Sequence, residues 1–240
     1  MPIIKKIFAN SGLAFAVVIP VSLLLWLWLG QLLPTINGQE KVVGRQTERS
    51  TVRAGFDLSV FGPDGLSDLT EEQKSKLFSG EVIFTSSPDV MPDNQTIVSA
   101  ALLFPLPVEK VWAVLSATER QVEYLEEIEE LKTVEQAADH NRVEFLVRIM
   151  GLKVSYTVVH HFFPGEYYFW WELDRSVHND LKELYGFWKL YPAGDKTVGR
   201  YGSYVQPDFS LPGFLRSMVL RSNIKLTLVK VKKFIESDKK

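Results

Sequence analysis

The chain has 240 residues, a formal net charge of −2 and no cysteine. The lack of cysteine excludes disulfides, thiolate metal sites and cysteine nucleophiles. A near-neutral charge without a basic excess argues against nucleic acid as a partner. The four histidines, at positions 140, 160, 161 and 178, form no HExxH-type pair, so we expect neither a bound metal nor another cofactor.

The first marked feature along the chain is an uncharged apolar run. Residues 7–33 carry no charged side chain and follow the short segment 1–6, which contains Lys5 and Lys6. Roughly 20 apolar residues suffice to cross the hydrocarbon core of a membrane, so the run predicts a single transmembrane anchor. Because positive charge before the run favours a cytoplasmic amino terminus, residues 1–6 are predicted to be cytoplasmic. The domain that follows is predicted to lie outside the cytoplasm, in a periplasmic or extracellular position.

A cleaved signal peptide is the alternative interpretation of this run. The apolar part of a signal peptide is typically about 7–15 residues long and ends at a small-residue cleavage site. The run at 7–33 is longer, and residues 30–34 (GQLLP) contain no Ala-x-Ala pattern. The sequence therefore favours an uncleaved anchor, and either interpretation exports the rest of the chain.

The segment after the anchor, residues 34–95, is predicted to be a stalk and an amino-terminal extension. Its first part is polar, and turn signals interrupt the remainder. Thr70 and Gln73 have capping-box spacing, which predicts a short helix that ends near Ser79 and Gly80.

The main domain is predicted to cover residues 96–240. It begins with a β-rich run up to Phe104, a helix that starts at Pro107 and a second short helix after Thr118. Six strand-like runs follow, at 128–134, 142–150, 153–163, 167–173, 181–191 and 197–206. A long helix then opens after Ser210 and runs to about residue 237. Consecutive strands that end in a helix indicate an α+β fold with an antiparallel sheet.

Three stretches of the main domain carry a family resemblance. Residues 104–115 (FPLPVEKVWAVL) look like an opening strand and a P-x-x-x-V-W helix, residues 180–190 (DLKELYGFWKL) like a G-x-W strand, and residues 207–215 (PDFSLPGFL) like the turn into a final helix. These features resemble the SRPBCC superfamily of helix-grip folds, which includes START-type lipid carriers, polyketide cyclase-like proteins and coenzyme Q-binding proteins. The resemblance implies a curved antiparallel sheet around the long C-terminal helix. It also implies an internal apolar cavity with a bound lipid, isoprenoid or polyketide.

Strand parity predicts which side chains face such a cavity, because side chains alternate between the two faces of a strand. Ligand pockets are mostly apolar with a few polar groups, and the inward positions match that description. The candidate ligand-binding residues are Phe145, Val147, Tyr156, His160, Trp171 and Trp188. An ordinary core position remains the alternative for the large aromatic residues among them.

The hairpin at 167–190 is aromatic on both faces, and its second face needs an explanation. Four aromatic side chains alternate with the inward ones: Tyr168, Trp170, Tyr185 and Phe187. A large exposed apolar patch marks a contact with a partner or a membrane unless another part of the chain covers it. The segment 56–84 is the candidate for that cover.

Together these observations predict a membrane-anchored, extracytoplasmic domain that binds or carries a lipid, isoprenoid or quinone-like molecule without catalysis. One alternative is a cyclase-like enzyme that uses His160 or Tyr156 as a general acid or base. No Gly-x-Ser-x-Gly motif supports nucleophilic catalysis. A second alternative is a structural subunit that contacts an envelope protein through the aromatic hairpin. The expected partners are therefore a hydrophobic ligand, the membrane and, in that last case, another envelope protein.

Overall fold

A computed structural model describes residues 56–87, 97–149, 151–208 and 213–237, with residues 213–223 described by their backbone alone. The predicted anchor at 7–33 and the predicted stalk before residue 56 lie outside these ranges. Among the helices within them, none combines the length and the apolar character needed to cross a membrane.

The described residues form one antiparallel sheet of eight strands and three helices. The strands are β1 (Ile83–Ser87), β2 (Ile97–Phe104), β3 (Ile128–Gln136), β4 (His140–Ile149), β5 (Leu152–Phe163), β6 (Tyr168–Leu173), β7 (Leu181–Ala193) and β8 (Lys196–Pro207). The helices are α1 (Glu71–Phe78), α2 (Val108–Leu115) and α3 (Gly213–Ser237), and 3-10 turns lie at Ser59–Phe61, Thr118–Glu123 and Pro164–Glu166. The strand order across the sheet is β1-β2-β8-β7-β6-β5-β4-β3.

The predicted strands and helices are confirmed, except that the short helix after Thr118 is a 3-10 turn, and one strand is new. Strand β1 pairs with β2, with Ile83 opposite Ala101, and extends the sheet at one edge. Helix α1 begins at the predicted capping box. The Thr70 hydroxyl accepts a hydrogen bond from the backbone N–H of Gln73 at 3.2 Å, and the Gln73 side chain accepts one from the backbone N–H of Thr70 at 2.9 Å.

The inner face of the sheet is the one that packs against α2 and α3. Its core joins Phe104 of β2, Val111 of α2 and Trp188 of β7 to the apolar side of α3. That side of α3 consists of Ile224, Leu228, Val231 and Ile235, as the helical spacing predicts. Leu226, on another side of this helix, is exposed.

The outer face of β2, β6, β7 and β8 packs against residues 56–87, which we call the cover. The side chains of the cover that reach this core are Phe56, Leu58, Phe61, Leu69 and Leu77. They bury the second aromatic face of the hairpin, including Tyr168, Trp170, Tyr185 and Phe187. The aromatic patch is therefore covered by the chain itself.

One buried ion pair fixes the cover to the sheet. Arg200 on β8 is fully buried, and its two terminal nitrogens donate to the two carboxylate oxygens of Asp68 at 2.8 and 2.7 Å. The same guanidinium donates to the carbonyl oxygen of Gly65 at 3.0 Å and lies 3.9 Å from the ring centroid of Phe61. Gly65 has a φ of 77°, and a Cβ there would lie 2.6 Å from the ring of Tyr191, so this turn requires glycine.

Candidate functional site

A cavity of about 440 Å³ lies on the inner face of the sheet. Its wall is formed by inward side chains of β4 to β8, by α3 and by residues 121–128, which lead into β3. This volume falls within the range of small-molecule sites, roughly 300–1,000 Å³.

The structure places all six predicted site residues on the wall of this cavity. They are Phe145, Val147, Tyr156, His160, Trp171 and Trp188. They converge because β4, β5, β6 and β7 are neighbours in the sheet and their odd or even positions face the same way. Their part in ligand binding stays a prediction.

Aromatic rings in contact with one another make up much of the wall. The rings of Phe145 and Tyr156 stack across β4 and β5 with centroids 5.3 Å apart. Tyr201 of β8 lies 5.0 Å from Trp188 and 5.9 Å from Trp171 by ring centroids. Because such rings supply large, rigid apolar surfaces, this wall suits an apolar guest with flat or extended carbon groups.

A glycine allows Trp171 to lie flat against the sheet. Gly186 is the cross-strand partner of Trp171, and a Cβ at this position would lie 2.2 Å from atom Cζ2 of the indole. Any side chain here would therefore push Trp171 into the cavity.

His160 is the most deeply buried titratable group on the wall. It is 4% exposed, and its Nδ1 lies 2.8 Å from the side-chain oxygen of Asn141. The amide nitrogen of Asn141 in turn donates to the hydroxyl of Thr118 at 3.2 Å. Burial, assisted by the neighbouring His161, lowers the pKa of His160 to about 3, because an apolar environment disfavours the charged ring. His160 is therefore neutral at physiological pH.

Two phenolic hydroxyls complete the polar part of the interior. Burial raises the pKa of Tyr201 to about 12, although a hydrogen bond with Ser203 acts in the opposite direction. Burial also raises the pKa of Tyr156, and the proximity of Tyr201 adds to this effect. Both phenols are therefore uncharged near neutral pH and can donate or accept a hydrogen bond.

Charged groups lie at the mouth of the cavity. Glu127 and Arg148 border it, and both side chains are about half exposed. Lys230 of α3 donates to Glu127 at 2.7 Å. Burial alone would raise the pKa of Glu127, but this bond lowers it overall. Next to them, the apolar side chains of Ile149 and Leu226 also border the cavity and are exposed to solvent, which marks this side as the route of access.

Sequence reasoning missed several wall residues. The main group comes from β8 and comprises Tyr201, Ser203 and Val205. Side chains in that strand alternate between the two faces, as in any strand. Because Gly199, Gly202 and the outward Arg200 carry no apolar side chain, the sequence showed no regular alternation of apolar and polar residues. Asn141 and Thr118, which hold His160, carried no signal, because their contact joins a strand to a turn 23 positions earlier in the chain.

Metal chemistry finds no support in the described ranges of the chain. No group of three or more His, Cys, Asp or Glu side chains there is placed to hold a metal ion.

No protein-family profile matches the sequence, and no curated protein is similar to it by sequence. Solved structures, however, are similar in fold. A START superfamily protein from Mycobacterium smegmatis superposes with a TM-score of 0.51 at 14% identity, over 59% of this chain and 97% of that chain. A STAR-related lipid transfer protein from Xanthomonas axonopodis gives 0.52 at 12% identity, over 64% and 92%. The Zhui aromatase/cyclase from Streptomyces sp. R1128 gives 0.50 at 12% identity, over 59% and 92%.

These similarities extend over nearly the whole length of the three proteins. Because the sequence identities are low, they show a shared fold and nothing more. The antiparallel sheet, the C-terminal helix and the cavity between them agree with these likenesses. The chain therefore has an SRPBCC-like, START-type fold.

Proposed function

We propose that the chain binds or carries a hydrophobic small molecule (a lipid, an isoprenoid or a quinone-like compound) in the inner cavity. The observation that carries this proposal is the cavity of about 440 Å³ with its wall of aromatic and aliphatic side chains. Moving an apolar molecule from water onto such a wall is favourable by roughly 25 cal/mol for each Å² of apolar surface removed from water. One protein of similar fold is a lipid transfer protein, which supports this use of the cavity.

Binding is favoured over catalysis by the state of the two polar candidates. A general acid or base works best when its pKa lies near the working pH. The pKa of His160 is lowered to about 3 and that of Tyr156 is raised, so neither exchanges a proton readily at neutral pH. Both are better suited to hydrogen bonding with a bound molecule than to acid–base chemistry. One protein of similar fold is an aromatase/cyclase, but the protonation states of His160 and Tyr156 favour binding over the cyclase-like alternative.

The structural-subunit alternative is not proposed further. It needed the aromatic hairpin face as a contact surface, and the cover already packs on Trp170, Tyr185 and Phe187. An envelope protein would have to displace residues 56–87 to reach them.

We place this carrier on the outer side of a membrane, tethered by residues 7–33. The support is the uncharged apolar run and the two lysines that precede it. A tether raises the effective concentration of the domain near lipid, which suits a molecule that collects or delivers apolar ligands. An uncleaved anchor should keep the chain in the membrane fraction after carbonate extraction. A reporter fused after Lys240 should be active only outside the cytoplasm, and a mature terminus near Gln31 or Gln39 would contradict the tether.

The ligand itself can be sought in the full-length chain purified from its membrane. We expect native mass spectrometry to show an added mass and solvent extraction to release an apolar compound. A folded, ligand-free preparation that also fails to take up the apolar fluorophore N-phenyl-1-naphthylamine would contradict the proposed function.

A further inference from the structure

We infer that the ligand is a hydrophobic alcohol, whose hydroxyl donates a hydrogen bond to Nε2 of His160. The Thr118–Asn141–His160 chain presents this nitrogen to the cavity as a fixed acceptor. The inference rests on the proposed function and adds the chemical class of the ligand to it. It separates hydroxylated molecules from ethers, esters and hydrocarbons of the same shape.

The proton of the His160 imidazole ring lies on Nδ1. The amide nitrogen of Asn141 donates to Thr118 at 3.2 Å, and the amide oxygen lies 2.8 Å from Nδ1 of His160. An amide oxygen can only accept, so Nδ1 carries the proton. Asn141 is 2% exposed, and its position in the β4–β5 register opposite His160 holds this arrangement in place.

The other ring nitrogen, Nε2, can only accept a hydrogen bond. Burial keeps the imidazole neutral, with a pKa of about 3 for His160. A neutral ring has one N–H, and with that proton on Nδ1 the Nε2 atom offers only a lone pair. His160 is thus an acceptor toward anything that meets Nε2.

The surroundings of Nε2 decide where its hydrogen-bond donor can come from. Nε2 belongs to the end of the ring farthest from the backbone, and the ring of His160 borders the cavity. Phe162 and Trp171 flank the ring at centroid distances of 6.0 and 6.3 Å. Within the described part of the chain, the only hydrogen bond of His160's ring is the one through Nδ1. The lone pair of Nε2 therefore finds no donor in the described part of the chain and is open to a donor from the cavity.

His160 discriminates between kinds of ligand oxygen more strictly than the two phenols on the wall do. Tyr156 and Tyr201 also reach the cavity, but a phenol can both donate and accept and therefore accommodates either kind of ligand oxygen. Unlike these two phenols, Nε2 of His160 can only accept and therefore requires a donor. Sites built to bond a hydroxyl reject analogues that lack it, because the buried partner is then left unpaired.

The experiment compares farnesol with farnesyl methyl ether, which have the same chain but differ in that a methyl group replaces the hydroxyl proton in the ether. Each compound displaces N-phenyl-1-naphthylamine from the purified full-length chain. We expect the wild-type chain to bind farnesol about tenfold more tightly, the ratio that one net hydrogen bond supplies. His160→Phe keeps a flat ring beside Phe162 but has no acceptor, so both compounds should bind it within about twofold of each other.

Asn141→Asp tests the orienting step with a side chain of the same shape. A carboxylate opposite Nδ1 favours the doubly protonated ring. Nε2 then becomes a donor, and an ether oxygen can accept its hydrogen bond. The ether should bind this variant more tightly than it binds wild type, and the preference for farnesol should disappear. The matched control is His161→Phe, since this neighbour lies on the outer face against Trp170, 4.1 Å away by ring centroids. The control should keep the wild-type preference.

The outcomes separate this inference from the proposed function. If the wild-type chain binds neither the fluorophore nor either compound, the proposed function fails. If it binds both compounds equally well, or prefers the ether, the cavity is a hydrophobic site but the inference is overturned. Should His160→Phe not fold, as judged by its thermal melting curve, Asn141→Asp decides: an unchanged preference for farnesol in that variant overturns the inference.

Discussion

Both faces of the central strands carry large aromatic side chains, but only the outer face is packed solid. Phe187 is fully buried there, with the rings of Phe56 and Phe61 at centroid distances of 4.8 and 6.0 Å. Its neighbour Trp188 points to the inner face and borders a cavity of about 440 Å³. The residue types are the same, so they do not decide which face is hollow.

What differs is the element that covers each face. The outer face is covered by the short turns and the short helix of residues 56–87, which can follow the curve of the strands. The inner face is covered largely by α3, a 25-residue helix. This helix is held near one end of the sheet, where Lys232 donates to the carbonyl of Leu103 at 2.9 Å. The cavity lies between this helix and the inner side chains of β4 to β8.

The largest expected effect compares one aromatic side chain from each face. Phe187→Ala should lower the free energy of unfolding by about 3–5 kcal/mol, because it removes a fully enclosed ring. Phe145→Ala should cost less, since one side of that ring already faces the cavity and loses fewer contacts. Chemical denaturation of both variants measures the two values. An equal or larger cost at Phe145 would contradict the contrast between a solid and a hollow face.

The next effect concerns the ion pair that holds the cover. Asp68→Ala should lower the free energy of unfolding by about 3 kcal/mol, because Arg200 then remains buried without its carboxylate. The matched control is Glu72→Ala, which removes an exposed pair with Lys76 and should leave stability unchanged. If Asp68→Ala behaved like this control, the ion pair would not fix the cover.

A smaller effect should appear in acid, through His160 on the inner face. The ordinary pKa of histidine is 6.5, and that of His160 in the fold is about 3. Between these values the unfolded chain takes up a proton that the folded chain does not, so stability falls as the pH falls. The loss approaches about 1.4 kcal/mol per pH unit, or about 2 kcal/mol at pH 5, and the full contribution is present above pH 6.5.

The check is the pH dependence of unfolding in His160→Gln, which should be shallower than in wild type between pH 6.5 and pH 4. Because carboxylates also contribute to acid unfolding, His178→Gln serves as the control for an exposed histidine and should follow the wild-type curve. Identical slopes in His160→Gln and wild type would show that His160 is not held neutral by burial.

Local patterns were enough to predict most of the fold and part of the site. The capping box at Thr70 marked the start of α1. Alternation placed Phe145, Tyr156 and Trp171 on one side of the sheet, and the pairing of β4, β5 and β6 brings them together.

What escaped prediction depends on contacts between distant parts of the chain. Arg200 sits in a strand and would normally be assigned to solvent, but Asp68, 132 positions away, makes its burial possible. Asn141 and Thr118 are separated by 23 positions; the strand register places Asn141 opposite His160, and Thr118 reaches Asn141 from the 3-10 turn that it opens. The short strand β1 gave no signal because it gains its order from pairing with β2.

The most direct test of the hollow inner face is to fill it. Val147 borders the cavity, whereas Val134 is exposed on β3, so Val147→Trp and Val134→Trp make the same change in two surroundings. Binding of N-phenyl-1-naphthylamine to the full-length chain should weaken at least about tenfold in Val147→Trp, a loss of about 1.4 kcal/mol or more. Val134→Trp should bind like wild type. Wild-type binding by a folded Val147→Trp would mean that the apolar ligand does not occupy this cavity, and the account would be contradicted.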